Sequence, residues 1–181
     1  QGRGFAWTIR TLAQAAKVTP ATVPSWLLPQ AYFANQLSTW RTFYETYYVN
    51  ATRQERSIFR SSTPIDSSGD EGPTSPGGTW IAQWQDEFIV AVLGWMVGMG
   101  FTEWRTSFDW AVGSTIARTN GTSGWPRGQA TPYRTILRSS ATAPFVTTWA
   151  DAWSLTSATT GAQVGSDPNV WVPPDMTYLT Y

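Results

Sequence analysis

The 181-residue chain contains no cysteine and no histidine, and Lys17 is its single lysine. Without thiols there is no disulfide framework, no thiolate nucleophile and no sulfur ligand for a metal. Without imidazole, Ser–His–Asp catalysis and every histidine-ligated metal site are excluded. Schiff-base chemistry is left with Lys17, which sits in a plain amphipathic stretch. Charge is also scarce: 13% of residues are Asp, Glu, Lys or Arg, about half the usual share of roughly 25%. Twelve basic and twelve acidic residues cancel, so no bulk field recruits nucleic acid or an anionic membrane. No uncharged apolar run reaches the roughly 18 residues that a membrane-crossing helix needs.

Aromatic residues, by contrast, make up 15% of the chain, and twelve of them are tryptophan. That much apolar surface offsets the entropy of ordering and excludes a disordered chain. The length suits one domain. The chain opens at Gln1 with no leader-like segment and stops at Thr177-Tyr-Leu-Thr-Tyr181, which reads as the start of another helix. The ends lead to the expectation that it is a processed product, an excised segment or a piece of something longer.

Apolar residues recur at helical spacing through most of the sequence. Phe5, Ile9, Leu12 and Ala16 predict a helix over 4–18, ended by Thr19-Pro20 because the residue before proline avoids the helical region. Phe33, Leu37, Trp40, Tyr44 and Tyr48 predict a second over 30–49, broadened by Tyr32, Phe43 and Tyr47 into a stripe wide enough for burial on two sides. A short helix over 51–60 follows, with Arg53, Arg56 and Arg60 on one solvated face. Residues 61–78 have no period and read as a mobile loop. From Thr79, the residues Ile81, Trp84, Phe88, Val92, Trp95 and Met99 hold helical spacing. Gly100 is a C-cap and Thr102 an N-cap. Trp104, Phe108, Ala111 or Val112, and Thr115 or Ile116 face inward on the next helix, over 103–119. So short a link makes these two helices an antiparallel hairpin. A last helix is expected over 144–157, with Trp149 and Trp153 four apart. The expected fold class is all-α: antiparallel helical hairpins in a partial α/α-toroid-like array with long loops. Residues 1–181 form a single helical domain or a fragment of a larger one. It divides into helices over 1–60, the loop over 61–78, a hairpin plus third helix over 79–157, and a loop tail over 158–181.

Three stretches carry a resemblance: Ala6-Trp-Thr-Ile-Arg-Thr-Leu-Ala-Gln-Ala-Ala16, Trp84-Gln-Asp-Glu-Phe88 leading to Gly98-Met-Gly-Phe101, and Gly124-Trp-Pro126 with Pro132-Tyr133. Together they resemble segments of large bacterial proteins whose helical hairpins form an α/α toroid, the shape of the six-hairpin glycosidases. The resemblance implies an incomplete ring, since this chain supplies about half the helices of such a toroid. It carries over no catalytic residue.

Carboxylates are the chemistry that remains. Glycoside hydrolysis needs two of them, about 5–5.5 Å apart for retention or roughly 6.5–9.5 Å for inversion. Asp86 and Glu87 interrupt an aromatic helix, and Asp109 lies on the partner helix. Burial among Trp84, Phe88 and Trp110 would raise such a group toward the range of a general acid. The competing account has these carboxylates favouring helix N-terminal halves and pairing with arginine. Flat aromatic faces stack on sugar rings, and Trp80, Trp125, Tyr133 and Trp171 are the candidates for binding a substrate. Trp40, Trp84, Trp95, Trp104, Trp149 and Trp153 are expected to fill the core. Asp66-Ser-Ser-Gly-Asp70-Glu71 has alternating oxygen ligands but Glu71 stands where a calcium loop needs glycine, so it reads as a solvated acidic loop. No metal site and no cofactor are expected.

Two functional readings follow. One is a carbohydrate-active or carbohydrate-binding module with a polysaccharide as partner, hydrolysing glycosides through paired carboxylates. The other is a non-catalytic structural or assembly segment of a larger protein, virion or surface complex. Its broad apolar faces would dock on the rest of a larger polypeptide or on copies of itself.

Overall fold

Phe5, Ala6, Ile9, Ala13 and Ala16 fall on one side of a helix at 3.6 residues per turn, and all five are buried on α1 (Gly2–Val18). Three alanines on that face let neighbouring helices approach closely. This computed structural model describes residues 2–50, 80–81, 83–126, 135–139, 143–144 and 146–160. The expected helix over 51–60, the loop over 61–78, Tyr133, Trp171 and the tail beyond residue 160 lie outside the described residues.

The second aromatic stripe forms α2 (Gln30–Tyr44), which continues as a π-helical turn over Glu45–Val49. The wider turn is closed by Asn50 N–H on the Glu45 carbonyl at 2.7 Å. It keeps Tyr48 stacked on Tyr44 at 4.9 Å, and Tyr44 in turn stacks on Phe5 at 5.0 Å. α3 (Gln83–Gly98) ends in a Schellman motif. Gly100 at φ +100 turns the chain, Phe101 N–H reaches the Met96 carbonyl at 3.1 Å, and Gly100 N–H reaches Val97 at 3.0 Å. A 3₁₀ turn over Thr102–Trp104 then leads into α4 (Arg105–Thr119), so Thr102 lies inside the turn and does not cap the helix as expected.

Polar contacts fix the relative sense of these helices. Arg3 N–H donates to Gln85 Oε1 at 3.0 Å near one end, and Lys17 Nζ donates to the Met99 carbonyl at 2.9 Å at the other, so α1 and α3 run the same way. Arg41 Nη1 donates to the Glu103 carbonyl and Ser107 Oγ to Glu45 Oε1, both at 3.3 Å, which sets α2 and α4 alongside in the same sense. Phe5 with Tyr44 and Ala16 with Gln30 give α1 and α2 opposite senses. Gly94 with Phe108 and Glu87 with Arg118 do the same for α3 and α4. The four helices share one core, completed by Leu37, Ile89, Val92, Leu93, Met96, Trp104 and Ala111.

A second, smaller cluster packs beyond α4. The two-residue strands β1 (Trp80–Ile81) and β2 (Thr135–Ile136) pair antiparallel, Trp80 opposite Ile136. α5 (Trp149–Thr160) packs on β2, and Ile136 N–H donates to Thr156 Oγ1 at 2.9 Å. Trp125, Leu137, Trp149 and Ala152 form the cluster's interior. The described residues are thus mostly helical, in keeping with an all-α fold.

Several local expectations need correction. Residues 80–81 are extended, and the helix starts at Gln83. The buried face of α3 is Glu87, Ile89, Val92, Leu93 and Met96, while Trp95 is exposed. The run Ile89-Val-Ala-Val-Leu93 is apolar all round, so spacing alone does not choose its inner face; packing against α1 does. On α4 the buried row is Ser107, Ala111, Ser114 and Arg118, and Ile116 points out. Tyr32 is exposed rather than part of the inner stripe. α5 starts at Trp149 because Thr148 caps it: Asp151 N–H donates to Thr148 Oγ1 at 3.1 Å, and Thr148 Oγ1 donates back to Asp151 Oδ2 at 2.7 Å.

Candidate functional site

The three candidate carboxylates occupy separate environments. Glu87, in the second turn of α3, is 8% exposed and forms an ion pair with Arg118 of α4, which is 1% exposed. The Arg118 guanidinium also lies over the Trp149 ring at 5.7 Å. Asp86 is half-buried one residue earlier, and successive helical side chains diverge by about 100°. Asp109 is exposed, and both its oxygens accept from Arg105 Nε, at 2.8 and 2.9 Å.

Helix geometry keeps Glu87 and Asp109 apart. Their positions on α4 are marked by Arg118 and by Asp109 itself, separated by nine residues, or about 13 Å and two and a half turns. They therefore lie on opposite faces of α4. Two carboxylates flanking one glycosidic bond need a separation below roughly 9.5 Å and a common groove. Glu87 and Asp109 instead each hold an arginine.

Of the candidate sugar-stacking residues, Trp125 alone has a described side chain, and it is packed inside. Trp125 is 3% exposed, its ring edge-on to Trp149 at 5.6 Å and to Trp153 at 5.3 Å. The loop that carries it is folded inward by Ser123, whose hydroxyl donates to the Arg118 carbonyl at 2.5 Å and accepts Trp125 N–H at 3.2 Å. The Trp80 backbone sits in the short ladder. Of the expected core indoles, Trp104 and Trp149 are buried, and Trp40 and Trp153 partly so.

Where polar groups do gather, around the π turn, they serve packing. Glu45 accepts from buried Ser107 and lies 3.9 Å from Arg41 Nε. This bonding ties the end of α2 to the start of α4. The apolar spacing of α4 does not mark Arg118, Ser107 and Ser114 as inner residues, although small or polar residues at 107, 111, 114 and 118 do repeat at helical spacing. Among the described residues no three of His, Cys, Asp and Glu gather as a metal site, and no helix is long and apolar enough to cross a membrane.

The surface feature that stands out is the connection between α1 and α2. Trp26 is 79%, Leu27 45% and Leu28 51% exposed, with Val18 on one side and Tyr32 on the other also open to solvent. The connection is held closed at its base. Gln30 N–H donates to the Pro20 carbonyl at 3.4 Å, and Gln30 Nε2 donates to the Ala16 carbonyl at 2.8 Å. Inside it, Leu27 N–H meets the Pro24 carbonyl at 2.9 Å. A loop of this size with adjacent ends is an Ω-loop, here stiffened by Pro20, Pro24 and Pro29. Three consecutive large apolar residues are thus presented to water by a rigid support. Comparison with protein-family models, with curated proteins and with solved structures finds no match to this chain.

Proposed function

We propose that the chain is a non-catalytic assembly segment, a set of helical hairpins that holds a stiff apolar loop for docking. The observation that carries this reading is the exposure of Trp26, Leu27 and Leu28 on a loop pinned at both ends. Leaving these side chains in water costs hydrophobic free energy, at about 25 cal/mol per Å² of apolar surface. Contiguous apolar patches of several hundred Å² mark interaction sites. The pinned loop also limits the entropy lost on docking. Glycoside hydrolysis finds less support, because Glu87 and Asp109 lie on opposite faces of α4 and each engages an arginine.

Two measurements on the same protein test this reading. Titration with a panel of polysaccharides, followed by tryptophan fluorescence, should give no saturable response. An apolar fluorescent dye should bind the native chain and lose most of that binding in the Trp26→Ser/Leu27→Ser/Leu28→Ser variant. A saturable polysaccharide response that disappears in Asp109→Asn would restore the carbohydrate reading and remove this one.

A further inference from the structure

We propose that the face running from Val18 through Trp26 to the outer side of α2 is a two-fold interface between two copies of this chain. The inference rests on the assembly reading and names its partner. Between Lys17 and Arg41 there is no charged residue. In a two-fold contact each residue near the axis meets its own counterpart. A charged side chain there meets its like and is repelled, whereas a neutral face meets itself without that cost.

Hydrogen-bonding chemistry points the same way. Thr22, Ser25, Gln30, Asn35, Ser38 and Thr39 are exposed on this face. Gln30 and Thr39 already donate to the Ala16 and Asn35 carbonyls. Thr22, Ser25, Asn35 and Ser38, however, carry a hydroxyl or amide that both donates and accepts, so each can pair with its own copy. Lysine and arginine only donate, and ionised carboxylates only accept. The face offers no charge by which a partner of different composition would be selected.

Size is adequate as well. An aromatic ring buries on the order of 200 Å². Trp26 with Leu27, Leu28, Val18 and Tyr32 offers on the order of 500 Å² of apolar surface. With the flanking backbone and polar rim, the face approaches the roughly 800 Å² per partner of a standard interface. Trp26 is the most exposed large ring on this face, and tryptophan is among the residues on which interface binding energy concentrates.

Sedimentation velocity of the full chain over a wide concentration range tests this. The expected result is a reversible dimer whose dissociation constant rises at least tenfold in Trp26→Ser and is unchanged in Ile116→Ser, which removes an exposed apolar residue elsewhere. Ser25→Asp and Ser25→Lys should each weaken self-association, and mixing the two should restore a dimer, with circular dichroism confirming that all variants fold. A dimer indifferent to Trp26→Ser would place the contact elsewhere and overturn the proposal. So would a chain that stays monomeric. In that case, flotation with phosphatidylcholine vesicles would assign the loop to a lipid surface. A monomer that ignores vesicles yet still binds the apolar dye through Trp26 would overturn the self-association proposal alone and leave the assembly reading intact.

Discussion

The two apolar clusters are made differently. The four-helix core draws on positions that recur every three or four residues: Ala6, Ile9, Ala13 and Ala16 on α1, Ile89, Val92, Leu93 and Met96 on α3. Helical periodicity creates that surface, and alanine brings the backbones close enough for one interior to form. The second cluster has a single regular helix, and three indoles fill the space left by its irregular chain. Its shape depends on turns: Gly124 at φ +79, the Ser123 hydroxyl and the Thr148 cap. One side chain belongs to both environments. Arg118 pairs with Glu87 on the core side and covers Trp149 on the other. The comparison teaches that a periodic core rests on many contacts shared among four helices, so a change in it is felt by all of them, whereas an indole cluster on turns depends on a few individual bonds.

The largest effect should come from cutting that shared link. Arg118→Leu leaves the Glu87 carboxylate buried beside an apolar group, and removing one member of a buried pair costs about 3–5 kcal/mol. Glu87→Leu/Arg118→Leu should recover much of the loss, because no buried charge is then left behind. Guanidinium unfolding followed at two signals measures both. Far-ultraviolet circular dichroism, dominated by the four long helices, reports the helical core. The part of the near-ultraviolet signal that Trp125→Phe removes reports the indole cluster, since Trp104 belongs to the helical core. In Arg118→Leu the indole signal should be lost at lower denaturant than the helical one. If the two still coincide, the clusters are a single cooperative unit and the contrast drawn above is wrong.

Next come single changes inside each cluster. Leu93 is fully buried, and Leu93→Ala should cost about 2–5 kcal/mol through lost burial and a cavity. Both spectroscopic signals should shift together, since that core spans all four helices. Gly124→Ala acts on the other cluster. It forces a side chain into a left-handed conformation and brings a Cβ to 2.6 Å from the Ala150 Cβ. The expected loss is about 1–3 kcal/mol, confined to the indole signal. The double variant Gly124→Ala/Ala150→Gly should regain the part that is steric.

This contrast also explains what the sequence makes legible. Helices α1, α2 and α4, the Gly100 cap and the short link after α3 follow from spacing, although Thr102 does not cap α4, which is entered through a 3₁₀ turn with no side-chain cap. The inner face of α3 does not follow, because a helix apolar all round offers no moment to orient it. Nor does the burial of Ser107 and Arg118, since polar residues on an inner row acquire their reason only when Glu45, Glu87 and Trp149 arrive from elsewhere in the chain. Trp125 shows the same limit for the site. Glycine and proline neighbours mark a loop, but the direction in which the loop folds is set by the Ser123 bond and by the Trp149 and Trp153 faces. The run Trp26-Leu27-Leu28 is silent in the opposite way: it has no period to mark a face, and its exposure is seen only in the structure.

The smallest effect sharpens the comparison most. Arg105–Asp109 and Glu87–Arg118 join the same kinds of group, yet the first is more than half exposed on both sides and the second is buried. Water screens the exposed pair, and its order along α4 is the less favourable one, with the cation on the N-terminal side of the anion. Asp109→Asn should therefore change stability by no more than about 0.5 kcal/mol, and by less still as salt is raised. Measured by the same guanidinium titration, that figure stands against about 3–5 kcal/mol for Arg118→Leu. Burial, rather than the pairing of opposite charges, then accounts for the difference. The near-neutrality of Asp109→Asn also makes it a clean probe in the polysaccharide titration. A fluorescence response lost in a variant of unchanged stability could not be ascribed to unfolding and would have to come from the carboxylate itself.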